Sequence, residues 1–188
     1  SVAVPAFRYT DEKKECIKCI NSGIESIEDY LDQMISYAKL SYYPEEKREI
    51  RIKDLVDGIL NGVEGYRAEV KLEVIYNFKD ETVYCSKSSV QRAVVNMLIN
   101  AYNHAKNIVS FQIAFKERLI FKIYNDGDHL GEEMIENIGK LFFTGDKGRN
   151  NKDKHYGIGL YFAKNVALNH GGDLSCENLA DGVEFTLE

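Results

Sequence analysis

Four asparagines recur at helical spacing in the segment 86–107, and their carboxamides are candidate metal ligands. At about 100° per residue, Asn96, Asn100, Asn103 and Asn107 fall within about 60° of each other on a single helical face. Asparagine is unfavourable inside a helix because its amide competes for backbone hydrogen bonds. A carboxamide oxygen can ligate Mg²⁺ without placing a negative charge beside phosphates. The pattern therefore fits a site for Mg²⁺ and phosphate, although a solvated polar face would fit it about equally well.

Two glycines, Gly157 and Gly159, stand directly before a second helical pattern. Glycines in this position let backbone N–H groups approach an anion, and the helix N-terminus supplies positive potential. The preceding basic residues are Lys147, Arg149, Lys152 and Lys154. These charges either close over a polyphosphate or belong to an ordinary soluble loop, and for any one of them the loop is the better interpretation.

The stretch YNDGDHL, residues 124–130, lies between a strand pattern and a helix pattern. Asp-Gly beside Asn is ordinary turn chemistry, so this stretch alone predicts a turn. The chain contains no Walker-type phosphate loop, nucleophile elbow or zinc signature.

Composition limits the function classes. The net charge of −6 argues against a general nucleic-acid binder, which needs a basic surface. No apolar run approaches the length of a membrane span or a signal peptide, so we expect a cytoplasmic location and no membrane contact for this part of the protein. The four cysteines are expected to be reduced and mostly packed.

Apolar periodicity predicts an α+β fold: a two-layer sandwich of a mostly antiparallel sheet with helices on one face. One helix is expected to begin after an N-cap at Ser86 and to bury Val90, Val94, Met97, Leu98 and Ala101. The last helix should bury Leu160, Phe162, Ala163 and Val166. The expected helices are 11–40, 52–66, 87–105, 132–140 and 158–169, and the expected strands are 70–76, 82–85, 108–115, 118–124, 173–178 and 182–187.

The first predicted helix carries an apolar seam with alternating spacings of three and four residues. Its members are Ile17, Ile20, Ile24, Ile27, Leu31, Met34 and Ala38. This spacing is typical of a coiled coil or helix bundle, so the helix needs a partner helix. Pro44 then ends the helix, which divides the chain into residues 1–45 and 46–188.

Four motifs in order resemble the catalytic ATP-binding domain of bacterial sensor histidine kinases, which has the Bergerat fold shared with gyrase-like ATPases. NMLINA is similar to the N box, NDGDHL to the G1 box, LFFTG to the F box and YGIGLYFAKNVALNHGG to the G2 box. The similarity covers residues 48–188, and the seam helix resembles the second helix of the kinase dimerisation domain.

This resemblance implies a site for ATP and Mg²⁺. Asn100 would be the metal ligand, Asn125 would accept a hydrogen bond from the adenine amino group, and Gly127 would let the loop pass close to the ring. Phe142 and Phe143 would anchor the lid, which is the basic segment that follows them. The implied ATP-binding set is Asn96, Asn100, Asn103, His104, Asn125, Gly127, Phe143, Lys147, Lys154, Gly157, Gly159 and Leu160. Three positions depart from the family: Asn125 replaces an aspartate, and His129 and His155 replace glycines.

The resemblance also implies a reaction. Gyrase-like relatives carry a water-activating glutamate where this chain has Asn96, which favours a protein-histidine kinase over an ATPase. None of the four histidines lies in an acceptor motif. We therefore expect a fragment that cannot phosphorylate itself and that phosphorylates a histidine on a missing dimerisation helix. The full-length protein would be a homodimer, in some cases membrane-anchored, that passes phosphate to a response regulator. The alternatives are a gyrase-like or chaperone-like ATPase domain and a degenerate nucleotide-binding signalling scaffold.

Overall fold

The computed structural model describes residues 13–24, 27–28, 31, 34–35, 38, 46–141, 143 and 158–188. The strands are β1 (Arg48–Arg51), β2 (Lys71–Asn77), β3 (Thr82–Cys85), β4 (Ile108–Phe115), β5 (Leu119–Asn125), β6 (Leu174–Leu179) and β7 (Gly182–Leu187). Residues 13–24 are helical and begin α1, and the other helices are α2 (Ile52–Asn61), α3 (Lys87–His104), α4 (Glu132–Glu136) and α5 (Gly159–Asn169).

A five-stranded sheet in the order β2-β4-β5-β7-β6 forms one layer of the domain. The β2–β4 pair is parallel, whereas β4–β5, β5–β7 and β6–β7 are antiparallel. Alternate residues of the central strands are buried, among them Phe111, Ile123 and Phe185. The α+β architecture predicted from periodicity is confirmed.

The helix α3 presents its apolar stripe to this sheet. Val90, Val94, Met97, Leu98 and Ala101 are all buried, as predicted. In α5 the prediction holds for three of the four named residues, while Leu160 is only half-buried. Ser86 occupies the predicted N-cap position, but its side chain makes no capping hydrogen bond, and its backbone N–H donates to His170 Nε2 at 3.1 Å.

Several predicted boundaries were wrong for local reasons. The strand β1 was not predicted because only Ile50 of its four residues is buried, so it shows no alternation. The helix α2 ends at Asn61 rather than at residue 66, and the turns that follow include Gly65 and Arg67 with positive φ. The helix α4 ends at Glu136 rather than at residue 140, and positive φ at Gly139 shows that the helix does not continue there.

The apolar seam of α1 lies on the surface. Ile17, Ile20, Ile24, Ile27 and Leu31 are each between 49% and 60% exposed. The partner helix stays a prediction, as does the domain division at residue 45, which lies outside the described residues. Within the described ranges, no helix is both long and apolar enough to cross a membrane.

The cysteines are free where the structure describes them. Cys85 is buried and Cys176 is half-buried, and burial raises the pKa of both thiols. Cys16 and Cys19 are exposed on α1, so the expectation of mostly packed cysteines was wrong for this pair.

Candidate functional site

The helix α3 provides one wall of the candidate site through Asn96 and Asn100, which are both half-buried. Within the described part of the chain, no hydrogen bond uses either carboxamide. A polar side chain that is partly withdrawn from water without a protein partner is available to a ligand. Both residues are therefore suited to contact a metal ion or a phosphate.

The next two asparagines of the pattern have structural partners. Asn103 accepts a hydrogen bond from the hydroxyl of Tyr66 at 2.8 Å, which ties α3 to the turn after α2. The prediction that Asn107 shares the helical face was wrong, because α3 ends at His104. Asn107 instead donates from its side chain to Asp126 at 3.1 Å.

The start of α5 lies against the middle of α3. A Cβ placed on Gly159 would be 3.7 Å from the Cβ of Asn96, and Ile158 before it is 1% exposed. The guanidinium of Arg92 lies 5.9 Å from the centre of the Phe162 ring, which adds a cation–π contact between the two helices. This packing brings the G2-like residues Gly159 and Leu160 to the N-box-like face of α3.

Asn125 ends β5 and is only 2% exposed. Among the described residues, no hydrogen bond involves its carboxamide, yet no described side-chain polar atom is both sealed from solvent and unpaired. Its polar atoms therefore reach a small opening at the end of the sheet. Buried amides are nearly always hydrogen-bonded, so this amide is poised for a ligand.

Gly127 is needed for the close approach of the following loop to α3. A Cβ at this position would lie 2.4 Å from the carbonyl oxygen of His104 and 2.6 Å from Nδ2 of Asn125. Any side chain here would displace either the backbone of α3 or the amide of Asn125. The side chain of His104 is exposed, so its contribution to this packing comes from its carbonyl group.

Asp126 fixes this loop, and its role was not anticipated. Its carboxylate accepts hydrogen bonds from the backbone N–H groups of Lys106, Asn107 and Ile108 at 2.8, 3.0 and 3.1 Å. Burial would raise its pKa, but these hydrogen bonds, with the side-chain bond from Asn107, lower the pKa to about 2. The only sequence signal was an acidic residue directly after the strand.

The other end of the loop is also held. Leu130 donates its N–H to Oδ1 of Asn178 at 2.9 Å, and Asn178 Nδ2 donates to the carbonyl of Leu130 at 2.8 Å. Lys106 forms an exposed ion pair with Asp128 at 2.8 Å. The loop of residues 126–130 is thus attached both to the segment after α3 and to β6.

Of the remaining residues singled out from the sequence, the structure describes Phe143 and His129 but not the others. Phe143 is half-buried, and its N–H donates to the carbonyl of Lys140 at 3.3 Å. His129 is exposed. The positions outside the described residues are Phe142, Lys147, Arg149, Lys152, Lys154, His155 and Gly157.

Two open concavities of about 470 Å³ each are lined by other described residues. One is lined by the turn after α2 and includes Tyr66 and Tyr102. The other lies near the end of α5 and includes His170 and Arg118. Neither contains Asn100 or Asn125, so the candidate site is identified by its unpartnered amides and not by cavity volume.

Comparisons with known proteins found a family model and relatives that match this chain. The model of the histidine kinase-, DNA gyrase B-, and HSP90-like ATPase family matches residues 85–188, which is more than half of the chain. The nisin biosynthesis sensor protein NisK of Lactococcus lactis subsp. lactis is 34% identical over 92% of this chain and 40% of its own length. The chain thus spans well under half of this relative.

Solved structures show the same fold. Full-length ShkA in complex with AMPPNP superposes with a TM-score of 0.74 at 15% identity, covering 93% of this chain and 38% of ShkA. Histidine kinase ThkA in complex with the response regulator protein TrrA gives 0.71 at 17% identity, covering 93% of this chain and 50% of ThkA.

Proposed function

The chain belongs to the histidine kinase-, DNA gyrase B-, and HSP90-like ATPase family. We propose that, as the ATP-binding domain of a sensor histidine kinase, it binds Mg²⁺-ATP for phosphoryl transfer to a histidine. The main support is the amide of Asn125, which is buried, unpartnered among the described residues and open to a ligand at the end of β5. The amino group of adenine can donate a hydrogen bond to such an amide oxygen.

In this proposal Asn100 would ligate Mg²⁺. Asn96, one turn earlier on α3 and next to the start of α5, would contact the phosphates. Mg²⁺ supplies neutralisation of the phosphate charge, while the residues of this chain position the nucleotide. The donor set fits a hard cation because amide oxygens satisfy the preference of Mg²⁺ for oxygen ligands.

Transfer to histidine is favoured over hydrolysis by the residue at position 96. A carboxamide cannot take a proton from water, so Asn96 cannot act as the general base that hydrolysis would require there. We therefore expect this chain to show negligible steady hydrolysis of ATP. Sustained hydrolysis that Asn96→Ala abolishes would instead support the ATPase alternative.

The acceptor and partners belong to the whole protein. The exposed seam of α1 suits packing against the helix that carries the acceptor histidine, in a homodimer of the full-length protein. Relay to a response regulator is supported by the likeness to ThkA, which was solved with the response regulator protein TrrA.

Calorimetry with Asn100→Ala tests the metal assignment. The variant should keep the parent's unfolding midpoint but lose the gain in ATP affinity that Mg²⁺ provides to the parent. Asn61→Ala is a matched control, because Asn61 is exposed in the last turn of α2 and lines a concavity that contains neither Asn100 nor Asn125. Unchanged Mg²⁺-dependent binding by Asn100→Ala would show that the metal ligand is misassigned.

The scaffold alternative rests on the three altered positions in the G1 and G2 boxes. It predicts that the parent chain binds no nucleotide in calorimetry even with saturating Mg²⁺. Incubation with labelled ATP gives a second test, since this chain should acquire no acid-labile phosphate. Labelling of this chain alone would overturn the assignment of the acceptor to another segment.

A further inference from the structure

We propose that Asn125 makes the base site permissive at purine position C6, so that nucleotides with a 6-oxo group bind as well as those with a 6-amino group. The expected ligands are the triphosphates of inosine and, where its 2-amino group fits, guanosine. This inference rests on the proposed function, because it concerns the base-reading residue of the same nucleotide site.

The inference begins with what the amide of Asn125 can offer. A carboxylate has only acceptor atoms, whereas a carboxamide has an acceptor oxygen and a donor NH₂ group. The side chain is 2% exposed, and within the described part of the chain neither polar atom has a hydrogen-bond partner that would fix its orientation. Both the oxygen and the nitrogen are therefore free to meet a ligand.

The amide can present either atom at little cost. The terminal torsion of asparagine is broad and roughly two-fold, and the two ends of the amide have nearly the same size. In the structure Nδ2 is the atom directed towards Gly127, which places the oxygen on another side. A half-turn about this torsion exchanges them without changing the volume that the side chain occupies.

Selectivity at a buried polar site comes mainly from mismatched polar atoms. A site that leaves an acceptor facing an acceptor loses affinity because neither atom can recover the hydrogen bonds that it made with water. An aspartate at position 125 would face a 6-oxo group in this way. Asn125 avoids the mismatch, since its oxygen accepts from a 6-amino group and its NH₂ donates to a 6-oxo group.

The charged groups of Asp126 and Lys106 do not fix which atom of the Asn125 amide faces a ligand. The carboxylate of Asp126, the nearest acidic group in sequence, is already engaged by the backbone N–H groups of Lys106, Asn107 and Ile108. Lys106 in turn pairs with Asp128 on the exposed side of the loop. These contacts hold the loop but do not fix the orientation of the buried amide.

Competition binding with Mg²⁺-ATP, Mg²⁺-ITP and Mg²⁺-GTP tests the proposal. For the parent chain we expect the dissociation constants of ATP and ITP to agree within about fivefold, because each C6 group finds a matching atom. In Asn125→Asp, ITP should bind about 10- to 100-fold more weakly than ATP, since a mismatched buried pair costs one to two factors of ten. In Asn125→Ala, both should weaken together and stay within about fivefold of each other.

The outcomes separate the two proposals. A parent that binds ATP but binds ITP at least about 10-fold more weakly overturns the permissive site and leaves the proposed function standing. A parent that binds none of the three nucleotides overturns the proposed function itself. If Asn125→Asp does not fold, the ratio measured on the parent still decides. Retained ITP binding with loss of GTP alone supports the inference, because only the 2-amino group distinguishes these two bases.

Discussion

Replacing Asp126 with asparagine should loosen the start of the loop of residues 126–130, which lies next to Asn125, the proposed adenine-contacting residue. The change keeps the shape of the side chain but removes the charge that three backbone N–H groups converge on. It also replaces Oδ2, which accepts from the backbone N–H and the side-chain amide of Asn107, with an NH₂ group that cannot accept, so these two contacts are lost. Asn125 and Gly127 flank this position and should lose their fixed placement.

The magnitude follows from the carboxyl group's pKa. Lowering the pKa from 3.8 to about 2 corresponds to roughly 2 kcal/mol of stabilisation by the ionised form. Asp126 is half-buried, and contact with solvent reduces this to roughly 1–2 kcal/mol. We expect Asp126→Asn to lower the free energy of unfolding at pH 7 by that amount.

The contribution of Asp126 to the free energy of unfolding should depend on pH. Because the folded-state pKa is depressed, the contribution is complete above the unfolded pKa of 3.8 and is lost as the pH falls towards 2. By about pH 3 roughly half of it should be gone. The difference in stability between parent and variant should therefore shrink on acidification.

Urea unfolding at pH 7 and at a series of values down to pH 3 measures this difference. Asp128→Asn is the matched control, because it lies in the same loop but its side chain is 90% exposed in a surface ion pair. The control should change stability by less than about 0.5 kcal/mol at every pH. A stability loss for Asp126→Asn that is constant from pH 7 to pH 3 would refute the reasoning.

Three further predictions concern other contacts. Gly127→Ala should lower nucleotide affinity at least about tenfold in calorimetry, because the added methyl group meets the carbonyl of His104 at 2.4 Å; unchanged affinity would show that the loop can shift without cost. Tyr66→Phe should cost about 0.5–1.5 kcal/mol in urea unfolding, since it removes the hydrogen bond to Asn103, and a neutral result would mean that water replaces the hydroxyl. Ile24→Ser should leave the unfolding midpoint of the ATP-binding domain unchanged, because Ile24 is 49% exposed on α1, and a large shift would show that the seam packs on this domain.

Periodic elements could be predicted from the sequence, and elements defined by distant contacts could not. The helix α3 and the strand β4 were placed within a residue, because burial repeats at the period of each structure. The parallel pairing of β2 with β4 cannot be predicted from local sequence, because it depends on a connection through β3 and α3. The strand β1 has too little buried surface to leave a pattern.

The candidate site shows the same limit. Asn96, Asn100 and Asn125 were predicted as site residues from the motifs and stay predictions, and the structure places Asn125 at the end of β5, one residue beyond the predicted strand. Asn107 was assigned to the helical face because helical spacing continues past the residue where the helix ends. What ends up holding Asn107 is Asp126, which lies 19 positions further along the chain. The periodicity of helices and strands cannot predict a contact between residues 19 positions apart.

The parallel pairing of β2 with β4 also determines how α3 can move. The connection between the two strands runs through α3, and this helix buries eight of its residues. Its amide hydrogens should therefore exchange with solvent deuterium only when the whole domain unfolds. A helix of that kind holds Asn96 and Asn100 as immobile groups on its half-buried face.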